Sequence, residues 1–170
     1  MKNFIFKSNS ENETKELAKF LASKLNNGNT LVLSGDLGSG KTKFTEGFLS
    51  YFNLENEISS PTFTIVNEYQ KDNINIYHFD VYRLEDSSEF YAIGGEEYFE
   101  KGICIIEWGE LIEDALPKDF IKINFSRDYN NDNARILNIQ SIGNKYDKII
   151  DYCNNNWKEF YFENFMYWYF

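Results

Sequence analysis

Cysteine and positive charge are both scarce in this chain of 170 residues. Its two cysteines, Cys104 and Cys153, are too few for a disulfide framework. Lysine and arginine number 17 against 27 aspartate and glutamate residues, and the net charge of −10 argues against broad, sequence-independent binding of nucleic acid. No apolar run approaches the ~18 residues of a membrane-spanning helix, and no signal peptide opens the chain. We therefore expect a cytoplasmic protein without a membrane partner.

The composition is that of a globular protein, with 42% hydrophobic and 26% charged residues. Its length suits one domain, which we assign to residues 1–156. Residues 157–170 form an aromatic-rich extension. One face of a helix can hold five of its aromatic residues: Trp157, Phe160, Tyr161, Phe165 and Trp168. We expect that face to pack on the domain, and the alternative is that it docks a partner.

Residues 35–42, with the sequence GDLGSGKT, fit the phosphate-binding P-loop pattern G-x-x-x-x-G-K-[ST]. An apolar run, 31–33, precedes the motif, and a helix-like stretch, 43–51, follows it. Glycines let the backbone approach an anion closely, and successive amides then point into one concavity at the positive end of a helix. Lys41 would reach the β- and γ-phosphates, and the Thr42 hydroxyl would bind Mg²⁺. The predicted nucleotide contacts in the loop are Asp36, Leu37, Gly38, Ser39, Gly40, Lys41 and Thr42.

Strand and helix patterns alternate around this loop. The predicted strands are 3–8, 30–34, 63–69, 74–81, 102–108, 120–126 and 135–142. The predicted helices start at the capping box 10–13 and also cover 43–51, 84–91, 108–115 and 145–154. Because two of the strand pairs read as antiparallel hairpins, we predict an α/β P-loop NTPase fold. Its central sheet is mostly parallel, with antiparallel hairpins and flanking helices.

Two carboxylates are candidates for metal-binding or catalytic roles beside the phosphates. Glu107 ends the apolar run from Ile103, which is the usual place for a Walker B acid, and Asp80 ends an earlier strand. We assign Glu107 to Mg²⁺ and Asp80 to a second metal-side or water-orienting role. Thr62, on the loop after the P-loop helix, is a candidate sensor of the γ-phosphate. A catalytic role is possible for His78, the only histidine, but we favour strand packing or a surface position.

The usual features of a GTPase are incomplete. Residues 144–147 fit the N-K-x-D pattern of guanine recognition, but they follow an alternating strand instead of a buried one. The chain also has no D-x-x-G sequence, so the usual γ-phosphate switch is missing. We interpret the N-K-x-D match as coincidental.

The motifs at 35–42, 60–63, 78–84 and 106–108, in this order and spacing across residues 3–145, together resemble the TsaE family, formerly YjeE. The resemblance implies a small ATPase that works with the TsaB–TsaD heterodimer in making threonylcarbamoyladenosine in tRNA. TsaD would transfer the threonylcarbamoyl group, while the TsaE-like chain hydrolyses ATP, supports repeated turnover and meets tRNA only through the complex.

The same resemblance implies roles for particular residues. It assigns Mg²⁺ to Thr42 and Glu107 and gives importance to Asp80, Thr62 and Trp108. Arg135 matches a basic position that approaches the nucleotide, and the segment 8–14 would lie near the base. Two departures are Gly109, where many members carry proline, and the aromatic tail beyond about residue 154, which exceeds the family's usual length.

The leading hypothesis is therefore an ATPase that is weak alone and activated by its partner, with ATP and Mg²⁺ as ligands and Lys41, Asp80 and Glu107 as catalytic residues. Of the three arginines, Arg83 is a candidate for stabilising transition-state charge, and a partner could supply another. One alternative is a small-molecule P-loop kinase, although three arginines are sparse for a kinase lid. Another is a nucleotide-gated binding module without significant hydrolysis.

Overall fold

A seven-stranded sheet forms the centre of the protein in a computed structural model that describes residues 1–59, 61 and 63–165, with side chains as far as residue 159. The strands are Asn3–Ser8 (β1), Thr30–Ser34 (β2), Val66–Lys71 (β3), Ile74–Asp80 (β4), Ile103–Glu107 (β5), Phe120–Asp128 (β6) and Asn131–Ile142 (β7). Their spatial order is β1-β7-β6-β2-β5-β4-β3. The central strands β6, β2, β5 and β4 run parallel, and each of the outer pairs is antiparallel. This arrangement confirms the predicted fold class.

The α-helices are Glu11–Ala22 (α1), Lys41–Ser50 (α2), Ser87–Ala92 (α3), Tyr98–Lys101 (α4) and Asp147–Phe165 (α5), with 3-10 turns at Glu55–Glu57, Gly95–Glu97 and Gly109–Ala115. The predicted cap of α1 is present, because the Ser10 hydroxyl accepts from the Glu13 amide at 3.2 Å. The Glu13 carboxylate accepts from the amide of Asn9, one residue earlier than a standard capping box. Within the described residues, no helix is both long and apolar enough to cross a membrane.

The sheet is covered on both faces, which explains the continuous apolar sequences of β2 and β5. In β5, Ile103 and Ile105 pack into the core shared with α1, α2 and α5. Cys104 and Ile106 point into the second core, beside α3. The two sets alternate as strand geometry requires, and both are fully buried.

Several predicted boundaries were wrong. The strand predicted to start at residue 63 starts at Val66, because Ile65 has φ 68° and its amide donates to the Pro61 carbonyl at 2.7 Å, which closes a turn. The helix predicted over 84–91 begins at Ser87, where Asp86 caps it through the Ser88 amide. The helix predicted over 108–115 is instead the 3-10 turn Gly109–Ala115.

The last helix, α5, continues beyond the predicted end near residue 154 and passes through residue 156 without a break. Trp157 is buried, with ring centroids 5.2 Å from Phe6 and 5.3 Å from Phe20. The other aromatic residues of the predicted face lie beyond residue 159, where the described side chains end. The division into a domain and an extension at residue 156 stays a prediction.

Candidate functional site

The loop predicted to bind phosphate connects β2, which ends at Ser34, to α2, which begins at Lys41. Gly35 has φ 145°, and a Cβ there would lie 2.6 Å from the Phe125 carbonyl oxygen on β6, so the position requires glycine. Gly40 has φ 114° and forms the N-cap of α2. The loop thus folds over the N-terminus of a helix, where unpaired amides and the helix dipole favour an anion.

Lys41 is held beside the loop as a buried side chain, with the residue 6% exposed. Its Nζ donates to the carbonyl oxygens of Gly35 at 2.5 Å and Asp36 at 3.1 Å, and it lies 4.7 Å from the centroid of the Trp108 ring. Burial lowers the pKa of the Lys41 ammonium below its ordinary value. Nearby acids act in the opposite direction: Glu107, Glu110, Asp80 and Asp36. The Lys41 side chain therefore lies at the wall of the cavity, close to the loop that would bind phosphate.

A cavity of about 770 Å³ opens beside the loop, at the carboxyl edge of the parallel strands. Asp80 ends β4 and Glu107 ends β5, and the two residues are paired in the register of these neighbouring strands. Both line the cavity together with Lys41 and Thr42. The fold therefore brings the two predicted acids to the P-loop, as expected for ligands bound beyond the ends of parallel strands.

The donors in the cavity suit a magnesium ion that is also bound by phosphates. Mg²⁺ takes oxygen ligands, commonly one or two from protein with the rest from phosphate and water. The Thr42 hydroxyl and the Glu107 carboxylate line the same cavity and offer such oxygens. Within the described part of the chain, no three His, Cys, Asp or Glu side chains cluster as an all-protein metal cage.

His78 contacts Glu107 directly, which the sequence analysis did not anticipate. The His78 Nε2 lies 2.8 Å from Glu107 Oε1, and the two residues are only 2% and 8% exposed. His78 also lines the cavity. The predicted position in a packed strand is right, but the histidine additionally contacts a predicted catalytic acid. The alternating pattern of β4 indicated a strand, yet pairing with β5 comes from the tertiary fold.

Trp108 follows Glu107 and lines the cavity in an unusual backbone conformation. Its φ of 64° is left-handed, which is costly for a residue with a Cβ and is often found at functional sites. The ring contacts the Lys41 ammonium on one side and packs against Tyr82, with ring centroids 4.9 Å apart. The left-handed turn directs the chain away from β5 immediately after the acid.

Two arginines approach the outer side of the P-loop. Arg135 on β7, a predicted nucleotide contact, lines the cavity, and its Nη2 lies 3.5 Å from the Gly38 carbonyl oxygen. Arg127 on β6 donates to the Leu37 carbonyl at 3.3 Å and was not predicted. These arginines are directly paired across the β6–β7 hairpin. The sequence analysis predicted this hairpin but not its register, and Arg127 lies just beyond the predicted strand 120–126.

Other predicted residues fall in several places. Asp36 is exposed and Ser39 is buried, and neither belongs to the described residues that line the cavity. Arg83 packs over the ring of Phe63, with its Cζ 5.6 Å from the ring centroid. Arg83 does not belong to the described residues that line the cavity either. Thr62 lies outside the described residues. The predicted base-side segment contributes four residues to the lining: Asn9, Ser10, Glu11 and Thr14.

Residues 144–147, which match N-K-x-D, lie near the start of β2, at the end of the parallel strands opposite the P-loop. The amide of Thr30, which starts β2, donates to the Tyr146 hydroxyl at 3.1 Å, whereas the P-loop follows the end of β2. The amides of Asn144 and Lys145 donate to the Asp119 carboxylate. These residues therefore stabilise a turn far from the cavity.

A loop of this form between a parallel strand and a helix, with a buried lysine and acids at neighbouring strand ends, defines a P-loop nucleotide-binding protein. Residues 8–136 match the family model described as threonylcarbamoyl adenosine biosynthesis protein TsaE. The chain belongs to the TsaE family.

Curated relatives agree over most of the chain. The tRNA threonylcarbamoyladenosine biosynthesis protein TsaE of Bacillus subtilis is 40% identical over 152 residues, covering 89% of this chain and 94% of the relative. The TsaE protein of Rickettsia conorii is 38% identical over 150 residues, covering 87% and 86% of the two chains. The crystal structure of Bacillus subtilis YdiB is similar in fold, with a TM-score of 0.73 and 35% identity over 88% of this chain and 93% of that one.

Proposed function

We propose that this protein is the cytoplasmic ATP-binding and ATP-hydrolysing component of the machinery that makes threonylcarbamoyladenosine in tRNA. It would support turnover of the TsaB–TsaD heterodimer and contact tRNA only through that complex. The observation that carries the proposal is the convergence of Lys41, Thr42, Asp80 and Glu107 on one cavity at the P-loop. The names of the relatives and of the family support the pathway.

The P-loop would bind the phosphates of ATP through the amides over the N-terminus of α2, with Lys41 turning from the loop carbonyls to the β- and γ-phosphates. Thr42 and Glu107 would hold Mg²⁺, which neutralises charge on the phosphate oxygens when it is bound. Arg135 would add positive charge on the outer side of the loop. Binding and positioning are then the protein's main contributions to phosphoryl transfer.

Asp80 is the acid proposed to orient the attacking water. Its Oδ1 accepts from the Tyr82 amide at 3.0 Å, so the carboxylate has a defined position at the rim of the cavity. Glu107, its neighbour in the strand register, lies deeper and is engaged by His78. The two acids therefore occupy different environments, which suits separate roles in water orientation and metal binding.

We expect slow hydrolysis by the isolated protein. Transition-state charge in P-loop enzymes is often stabilised by an additional arginine, supplied within the chain or by a partner. Arg83 packs on Phe63. Among the described residues that line the cavity, the arginine is Arg135. The TsaB–TsaD heterodimer would either supply an arginine or rearrange one of those present.

The proposal is tested by measuring ATP turnover of the purified chain with and without TsaB–TsaD. We expect stimulation by the heterodimer, and loss of most turnover in Lys41→Ala and Glu107→Ala. Equal rates with and without the heterodimer would contradict partner activation. ATP-dependent association with the heterodimer but no turnover would indicate a binding module instead.

A further inference from the structure

We infer that His78 is a positioning residue that orients the Glu107 carboxylate for the metal–nucleotide complex, an inference that rests on the proposed function. The two side chains meet inside the protein, 2.8 Å apart, at the wall of the cavity. They belong to neighbouring parallel strands, with His78 two residues before Asp80 and Glu107 opposite Asp80. The contact therefore links β4, which carries Asp80, to the Glu107 side chain on β5.

The hydrogen bond restrains the orientation of the Glu107 carboxylate. His78 Nε2 faces a carboxylate oxygen, so this nitrogen carries the hydrogen and donates to Oε1. Oε2 and the second lone pair of Oε1 are then left to serve a metal ion at the cavity. Carboxylates that bind metals are commonly held by such outer hydrogen bonds, which reduce the number of orientations the ligand can adopt.

The other nitrogen of His78 argues against a purely packing role. Among the described residues, the buried Nδ1 has no hydrogen-bond partner. Buried polar atoms are normally paired, and an apolar side chain at this position would leave no nitrogen unpaired. The imidazole is thus poorly explained as core packing, whereas its single bond to Glu107 has a clear use.

The geometry of glutamine and asparagine provides a matched pair of variants. In His78→Gln, the amide nitrogen stands three bonds from Cβ, like Nε2, and can still donate to Glu107. In His78→Asn, the nitrogen stands two bonds from Cβ, like Nδ1, and cannot reach. Both variants are polar and uncharged, so they differ chiefly in whether the bond to Glu107 can form.

The experiment measures the dissociation constant of ADP by calorimetry across a Mg²⁺ titration, with thermal unfolding of each metal-free protein measured alongside. Loss of an outer partner typically weakens metal affinity about 10- to 100-fold. We therefore expect His78→Asn to need about 10- to 100-fold more Mg²⁺ for the same enhancement of ADP binding. Its metal-free ADP affinity should be unchanged, and His78→Gln should remain close to wild type.

Several results would overturn the inference. It is wrong if folded His78→Asn responds to Mg²⁺ like wild type, or if His78→Gln is impaired as much as His78→Asn. It also predicts that His78→Asn adds no further loss in a Glu107→Gln background, since the positioned carboxylate is already gone. If wild type binds ADP with no response to Mg²⁺, the proposed metal site itself fails. If wild type does not bind ADP, the proposed nucleotide function fails.

Discussion

Replacing Lys41 with methionine should weaken nucleotide binding while leaving the ligand-free protein at least as stable as wild type. Methionine keeps an unbranched, mostly apolar side chain in the same buried space but removes the ammonium. In the ligand-free protein this ammonium is desolvated, and burial is the main cause of its lowered pKa. The ligand-free folded state therefore disfavours the charged form of Lys41, which is the form that would bind phosphate.

The size of the binding loss follows from the bond that disappears. A hydrogen bond to a charged group contributes about 1.5–3 kcal/mol, which corresponds to a loss of about 10- to 150-fold in ATP affinity. On the stability side, the carbonyls of Gly35 and Asp36 lose a donor, but Gly35 is partly exposed and Asp36 is exposed, so water can replace it. Removing the charge should then outweigh losing those contacts.

The sign of the pH dependence provides a second measurement of the same effect. Lys41 has a folded-state pKa below the 10.5 of the unfolded chain, so between these values the unfolded state binds more protons. The unfolding free energy of wild type should therefore rise relative to Lys41→Met as the pH increases toward 10.5. At pH values below the folded pKa, the charge penalty is present in full.

Calorimetric ATP titrations and urea unfolding at a series of pH values would measure both effects, because all other titrating groups are common to the two proteins. The reasoning is refuted if ligand-free Lys41→Met is destabilised by more than about 2 kcal/mol, the cost of losing one or two hydrogen bonds without compensation. A difference between the proteins that does not change with pH would refute the role assigned to burial.

Three further predictions concern packing and chemistry outside the cavity. Gly47→Ala should destabilise the protein by about 1–3 kcal/mol, because the new Cβ would lie 2.3 Å from the Lys15 carbonyl oxygen on α1. An unchanged midpoint in urea unfolding would contradict this contact between the helices. Trp157→Ala should cost about 3–5 kcal/mol, since the ring is 4% exposed, and a loss below 1 kcal/mol would show that this part of α5 does not stabilise the domain. Burial raises the pKa of both Cys104 and Cys153 to about 12, so neither thiol should react with a disulfide reagent at pH 8 until urea unfolds the chain; rapid reaction of the folded protein would contradict their burial.

The P-loop and its two acids could be predicted from sequence because each depends on a short local pattern. The loop needs glycines at fixed positions, and Glu107 directly follows an apolar run that suits a central parallel strand. The carboxyl ends of parallel strands meet at one edge, so predicting the strands was enough to bring Asp80 and Glu107 together.

The residues that were missed depend on contacts between distant parts of the chain. His78 meets Glu107 only because β4 pairs with β5 in one particular register, and no spacing in the sequence encodes that register. The late start of β3 depends on the left-handed Ile65 and its hydrogen bond to Pro61. A left-handed β-branched residue runs against local preference, and the surrounding turn imposes it.

The central claim is that one cavity binds ATP and Mg²⁺ through the P-loop, Thr42 and Glu107. A crystal structure with a non-hydrolysable ATP analogue and Mg²⁺ tests it most directly. The account predicts the phosphates on the amides at the N-terminus of α2, Lys41 Nζ on the β- and γ-phosphates, and the metal between Thr42 and Glu107. Phosphates bound elsewhere, or a metal that Glu107 does not contact directly or through water, would contradict it.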